Sequence, residues 1–144
     1  LLNILINALG ILFLAFFALR LLLKKKAPAR QIIFFILSCL ITWITFSILK
    51  IPEERIHIIQ YAPLAIFALQ AFKTHCQKPK AYLITFIFVV VVGITDEYLQ
   101  SIIPGRYFGF HDILLNAMGG FIGLLLSLIL EKEKKPHEPT KNLQ

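Results

Sequence analysis

Three groups of polar residues, spaced as on helices, interrupt a very apolar chain of 144 residues. They combine carboxylates, an imidazole and amides: Glu53, Glu54, His57, Asp96, Glu97, Gln100, Asp112 and Asn116. Carboxylates and imidazoles transfer protons, bind cations or hold the polar part of a ligand. Residues three or four apart share a helix face, so Asp96 with Gln100, and Asp112 with Asn116, each present two polar groups on one side.

His57 and Arg106 are the two basic residues expected to join these groups. Glu53 and Glu54 lie four and three residues before His57, so both acids are predicted to approach the imidazole. Pro104-Gly105 is a turn signal, and Arg106 follows it directly. We expect Arg106 within hydrogen-bond distance of Asp96, Glu97 or Asp112, where it either closes the loop as an ion pair or offers donors to a phosphate or carboxylate of a ligand.

The same residues also raise the possibilities of a metal site and an enzyme. His57, Asp96, Glu97, His111 and Asp112 are ligand types that suit several divalent ions, but their spacing is no recognised ligand signature. The sequence therefore predicts neither a metal ion nor another cofactor. No motif serine or cysteine supplies a nucleophile, which favours a binding protein over an enzyme. The predicted site has seven members: His57, Asp96, Glu97, Gln100, Arg106, Asp112 and Asn116.

The elements that must position these residues are membrane helices. Hydrophobic residues make up 58% of the chain, and the mean hydropathy is +0.76, which a soluble domain of this size rarely reaches. About 20 apolar residues cross a bilayer as a helix. Five stretches lack Asp, Glu, Lys and Arg and predict an all-α, polytopic bundle of about five membrane helices: 1–19, 31–49, 56–72, 81–95 and 113–130.

The basic residues predict how this bundle is oriented. Of the 15 Lys and Arg residues, twelve follow the first, third and fifth stretches, and only Lys50, Arg55 and Arg106 fall on the other side. The positive-inside rule then places the N-terminus outside and the C-terminus in the cytoplasm. The predicted site accordingly faces outward. Membrane topology accounts for the net charge of +7, so the sequence predicts no nucleic-acid partner.

Residues 1–130 are predicted to form one transmembrane domain, followed by a polar cytoplasmic tail over 131–144 that is too charged to bury a core. Within the last stretch, Gly119, Gly120 and Gly123 continue the face of Asp112 and Asn116. Small residues let helices approach closely in lipid, so these glycines are expected to pack the fifth helix against its neighbours.

Four ordered motifs between residues 52 and 123 resemble the VanZ-like membrane protein family. They are Glu53-Glu-Arg-Ile-His57-x-x-x-Tyr61, Asp96-Glu97-x-x-Gln100, Pro104-Gly-Arg106, and Asp112-x-x-x-Asn116-x-x-Gly119-Gly120-x-x-Gly123. The resemblance covers half of the chain and is most specific in its second half. Many relatives carry Asp-Lys four and three residues before the histidine, where this chain has Glu53-Glu54 and, one place later, Arg55.

The resemblance implies a small multi-pass protein of the bacterial plasma membrane with a role in the cell envelope. The family takes its name from a protein linked to resistance against the lipoglycopeptide teicoplanin, so it implies a role related to antibiotic resistance. We expect membrane lipids as partners and an outward polar pocket that recognises a lipid-linked or amphiphilic envelope molecule. The alternative is a small accessory or structural subunit of a larger membrane complex, in which the charges fix helix register and docking.

Overall fold

The computed structural model describes residues 1–131. Five α-helices follow one another through short loops: α1 (Leu2–Leu22), α2 (Ala29–Ile48), α3 (Pro52–Phe72), α4 (Lys78–Ser101) and α5 (Phe110–Leu130). No strand occurs over these 131 residues, so the predicted all-helical fold is confirmed. The predicted polar tail lies, apart from Glu131, outside the described residues.

Four of the five helices, α1, α2, α4 and α5, are long and apolar enough to cross a membrane. The third, α3, has 21 residues and is equally long, but its first turns carry Glu53, Glu54 and Arg55. These charges lower its hydropathy, because a full charge within the hydrocarbon costs about 3 kcal/mol on insertion scales. The chain is therefore a helical membrane protein in which α3 is the most polar helix.

Contacts between helix ends show that successive helices run in opposite directions. At one end, Arg55 Nη1 donates to Asn3 Oδ1 at 2.8 Å and to Asn7 Oδ1 at 3.1 Å, joining the starts of α3 and α1. At the other end, Gln31 Nε2 donates to the carbonyl oxygen of Leu128 at 3.2 Å, joining the start of α2 to the finish of α5. We call these the polar end and the basic end of the bundle.

Helix α5 is the central helix, and small residues set its distance from α3. A methyl group added at Gly119 would lie 2.9 Å from the Cα and carbonyl oxygen of Ile58, and one added at Gly123 would overlap the carbonyl oxygen of Ala62. Cβ atoms in folded proteins do not approach other atoms this closely. Backbone therefore packs directly against backbone along this seam, as small residues allow between helices in lipid.

The third glycine of the series, Gly120, faces α4 instead of α3. A methyl group there would lie 2.5 Å from Cγ1 of Val89, a fully buried residue. Buried apolar side chains of α1, α3 and α5, among them Phe17, Ile58 and Ile122, complete the interior. This close packing holds the polar end of α5 beside the corresponding ends of α3 and α4.

Candidate functional site

The predicted site residues come from α3, α4, α5 and the loop over residues 102–109 that joins α4 to α5. Helix α4 continues to Ser101, so Asp96 and Glu97 lie one turn or more inside it and not beyond its end. Helix α3 begins at Pro52, which places His57 in the second turn. Carboxylates and an imidazole are therefore held on regular backbone, where their positions are well defined.

His57 is buried and binds across the bundle to α5. Its Nδ1 lies 2.9 Å from Oδ1 of Asn116, whose side chain is 0% exposed. A carbonyl oxygen only accepts, so Nδ1 donates this hydrogen bond, and in the neutral imidazole Nε2 keeps a lone pair. The predicted approach of Glu53 and Glu54 to His57 is not seen, because the imidazole points into the bundle and those acids lie at its edge.

Asp96 accepts two hydrogen bonds on the same oxygen. Gln100 Nε2 donates to Asp96 Oδ2 at 2.9 Å, which is the predicted pairing across one helical turn. Tyr61 Oη donates to the same oxygen at 3.4 Å, from α3. The other carboxylate oxygen, Oδ1, has no hydrogen-bond partner among residues 1–131.

Glu97 is the most deeply buried acid of the described chain. Its exposed fraction is 1%, and Oε2 accepts a hydrogen bond from the backbone amide of Gly109 at 3.3 Å. The second oxygen, Oε1, is buried and has no hydrogen-bond partner among the described residues. Leaving a carboxylate oxygen buried and unpaired costs free energy, so this position is costly unless something else supplies a partner.

Asp112 borders the cluster but binds toward the surface. Its Oδ1 lies 3.7 Å from Nδ1 of His111, and Glu54 Oε1 lies 3.8 Å from the same nitrogen. A methyl group added at Gly109 would lie 3.0 Å from Asp112 Oδ2 and 3.6 Å from Glu97 Oε2. Both carboxylates therefore flank Gly109, and no side chain larger than hydrogen fits between them without a shift.

The expected contact of Arg106 with an acid is absent. No hydrogen bond or ion pair joins its side chain to an acid within residues 1–131, and the residue is exposed. The loop does turn where predicted: Gly105 has a φ of +87°, a conformation that favours glycine, and the amide of Arg106 donates to the carbonyl oxygen of Ile103 at 3.1 Å. This turn leaves the Arg106 side chain exposed, whereas an ion pair with Glu97 would require burial of the guanidinium.

Two residues that contact the cluster were not among the seven predicted site residues, although Tyr61 belongs to the first family motif. Tyr61 fits an interfacial aromatic belt by position, as exposed Tyr98 and Tyr107 do, but it is buried and bound to Asp96. Its place four residues after His57 was the available signal. Gly93 lies one turn before Glu97, and a methyl group there would lie 3.0 Å from Cβ of Asn116, so this glycine lets α5 approach α4.

Three of the clustered groups come close enough to share a ligand. One candidate ligand atom each from His57, Asp96 and Glu97 lies within 4.8 Å of the other two. No lysine or arginine of the described chain pairs with either acid. The site is thus a compact group of two carboxylates and one imidazole, framed by Asn116, Tyr61 and Gln100, with acceptor atoms in excess of donors.

Comparison with known proteins agrees with this architecture. The family model described as VanZ/LLP1 matches residues 42–131, which include α3, α4, α5 and all seven predicted site residues. Neither the search of curated proteins nor the search of solved structures found a significant match. The matched region covers more than half of the 144 residues. The chain, a helical membrane protein, therefore belongs to the VanZ/LLP1 family.

Proposed function

We propose that this protein recognises an amphiphilic or lipid-linked molecule of the bacterial cell envelope at the polar end of its bundle. The loop over residues 102–109 carries the argument, because it combines an exposed cation with exposed apolar side chains. Tyr107 is 90% exposed, and Ile102 and Ile103 are also exposed beside Arg106. Such a mixture suits the membrane interface, where a ligand has its head group in water and its tail in hydrocarbon.

Arg106 is the group proposed to bind the head. Its guanidinium has no acidic partner within residues 1–131 and offers a planar set of donors that match a phosphate or a carboxylate. The amide of Gly109 binds Glu97, so the loop is attached to the buried cluster three residues after Arg106. This hydrogen bond ties the loop, and with it the arginine, to the polar end.

Location and orientation are part of the proposal. Four helices that are apolar enough to span a membrane, together with family membership, support a multi-pass protein of the bacterial plasma membrane. The partition of Lys and Arg supports an outward polar end. A role related to glycopeptide resistance is consistent with an outward site for envelope lipids.

The test uses the purified full chain in detergent and measures binding of a polyprenyl phosphate, with the uncharged polyprenol as the matched ligand. We expect the native protein to prefer the phosphate, and Arg106→Ala to weaken its binding by about tenfold to a hundredfold, since charged hydrogen bonds contribute about 1.5–3 kcal/mol. Lys50→Ala removes an exposed cation near the same end, outside the loop, and should leave affinity unchanged.

Two results would contradict this function. Equal affinity for the phosphate and the uncharged polyprenol would show that the protein does not recognise the phosphate head group. Native affinity in Arg106→Ala, combined with loss of a co-purifying membrane protein, would instead indicate the accessory-subunit role. In that role the exposed loop would dock against another protein and not against a lipid.

A further inference from the structure

We propose that His57, Asp96 and Glu97 form a binding site for a divalent metal ion, with Zn²⁺ as the best-matched ion. One candidate ligand atom of each residue lies within 4.8 Å of the other two, although the residues come from α3 and α4. The inference rests on the geometry of these three side chains and does not depend on whether the protein binds an amphiphile.

Each of the three residues has one polar atom held by a neighbour and one left over. Nδ1 of His57 donates to Asn116 Oδ1, which leaves Nε2 as the ring nitrogen without a partner among residues 1–131. Asp96 Oδ2 accepts from Tyr61 and Gln100, which leaves Oδ1 without a partner among residues 1–131. Metal-binding histidines and carboxylates are oriented by outer hydrogen bonds of this kind, which fix the tautomer and aim the free atom at the ion.

Glu97 supplies the observation that most directly calls for a ligand. Oε2 accepts from the amide of Gly109, while Oε1 is buried without any hydrogen-bond partner among the described residues. The side chain is 1% exposed, so bulk water does not supply that partner. A carboxylate oxygen in this position is stabilised by a cation bound next to it.

The charge balance of the cluster points the same way. Asp96 and Glu97 are adjacent in sequence, and within residues 1–131 neither pairs with a lysine or an arginine. Arg106, the cation expected to neutralise them, is exposed in the loop. Two carboxylates this close repel each other when both are ionised, and a divalent ion between them removes that repulsion.

The donor set selects the class of ion. An imidazole nitrogen with two carboxylate oxygens suits Zn²⁺ better than Mg²⁺ or Ca²⁺, which prefer oxygen ligands alone. Three protein ligands leave at least one coordination position for a water molecule or for an oxygen of a bound molecule. The site is therefore of the open kind, in contrast to a structural zinc site closed by four protein ligands.

The experiment measures Zn²⁺ binding by isothermal titration calorimetry with the purified full chain, after treatment with a chelator and dialysis. We expect about one equivalent of Zn²⁺ per chain and weaker binding of Mg²⁺. His57→Gln, Asp96→Asn and Glu97→Gln should each weaken Zn²⁺ binding by more than about 100-fold, because loss of an outer partner alone costs about 10–100-fold. Asn116→Ala, which removes only the partner of His57, should fall in that smaller range.

Matched controls separate this site from zinc bound at the surface. His111→Gln removes an exposed histidine near the same end, and Glu53→Gln removes an exposed acid of α3, so both variants should bind Zn²⁺ as the native protein does. Thermal unfolding tests the site in the native protein without any substitution: Zn²⁺ should raise the melting temperature. Absence of stoichiometric binding by the native protein, or native affinity in Glu97→Gln, would overturn the site. A loss of Zn²⁺ affinity in Glu53→Gln equal to that in Glu97→Gln would also overturn the site.

Discussion

His57 of α3 and Asn116 of α5 are joined inside the bundle by a hydrogen bond of 2.9 Å between Nδ1 and Oδ1. Both residues are buried, and 58 residues separate them in the chain. The bond links the two helices that also approach most closely through Gly119 and Gly123. It therefore fixes which ring nitrogen of the histidine faces α5 and ties α3 to α5 at this level of the bundle.

Replacement of Asn116 by Ala should destabilise the protein by about 1–3 kcal/mol, because Nδ1 of His57 would remain buried without an acceptor. The measurement is thermal unfolding in detergent, followed by circular dichroism. Ser47→Ala is the control, since that exposed hydroxyl donates only to Trp43 of its own helix and should be neutral when removed. An unchanged melting temperature for Asn116→Ala would show that the bond contributes nothing to stability.

Gly123→Ala should be destabilising although it adds only one methyl group, because that group would overlap the carbonyl oxygen of Ala62. Overpacking of this kind costs about 1–3 kcal/mol. The matched control is Gly10→Ala, where the nearest atom would be a side-chain carbon of Phe46 at 3.4 Å, an ordinary contact. Equal stability of the two variants would contradict the close approach of α5 to α3.

The contacts of Glu131 at the basic end predict a dependence of stability on pH. Burial opposes ionisation, but hydrogen bonds from Lys73 at 2.9 Å and Lys78 at 3.2 Å outweigh it and hold the pKa of Glu131 below its ordinary value of 4.5. A group whose pKa is lowered by folding stabilises the folded state above its ordinary pKa, and this contribution disappears as the pH falls through the lower, folded value.

Native protein and Glu131→Gln should therefore differ in stability at pH 7 and converge as the pH falls below 4.5. We expect a difference of about 1 kcal/mol at neutral pH, because Lys78 is largely exposed and such pairs are screened by solvent. Chemical denaturation at pH 7 and at acidic pH measures it. A difference that grows on acidification would contradict the assigned sign.

The proposed orientation predicts which loops are reached from outside the cell. Tyr107→Cys lies in the loop at the polar end, and Thr74→Cys lies in the loop between α3 and α4 at the basic end. In a background without Cys39 and Cys76, an impermeant maleimide should label Tyr107→Cys in intact cells and Thr74→Cys only after lysis. The reverse pattern would show that the polar end faces the cytoplasm.

Hydropathy determined the helices of this protein at the level of sequence. Each of the five uncharged stretches lies within, or within one or two residues of, one of the five helices, because a segment without charge is suited to lipid and must satisfy its own backbone hydrogen bonds there. The sequence also predicted local pairs: Gln100 binds Asp96 one turn away, as the period of the helix requires. The turn at Gly105 followed from local backbone preference.

Only the tertiary structure decided which polar groups meet across helices. Helix period places Tyr61 four residues after His57, but it does not tell that Tyr61 faces Asp96 of α4, nor that His57 bonds to Asn116 and not to Glu53 or Glu54. These pairings depend on how far each helix is rotated about its axis, which the packing of Gly119 and Gly123 against α3 sets.

Arg106 shows most clearly which contacts the sequence does not determine. Sequence places this cation within ten residues of Asp96, Glu97 and Asp112 along the chain, and charge attraction alone would pair it with one of them. In the folded chain its side chain stays exposed, because burial of the guanidinium beside these acids would require removal of its hydration water. The sequence predicted that His57 joins Asp96 and Glu97, but only three-dimensional packing decided that these residues meet with no lysine or arginine of residues 1–131 paired to either acid.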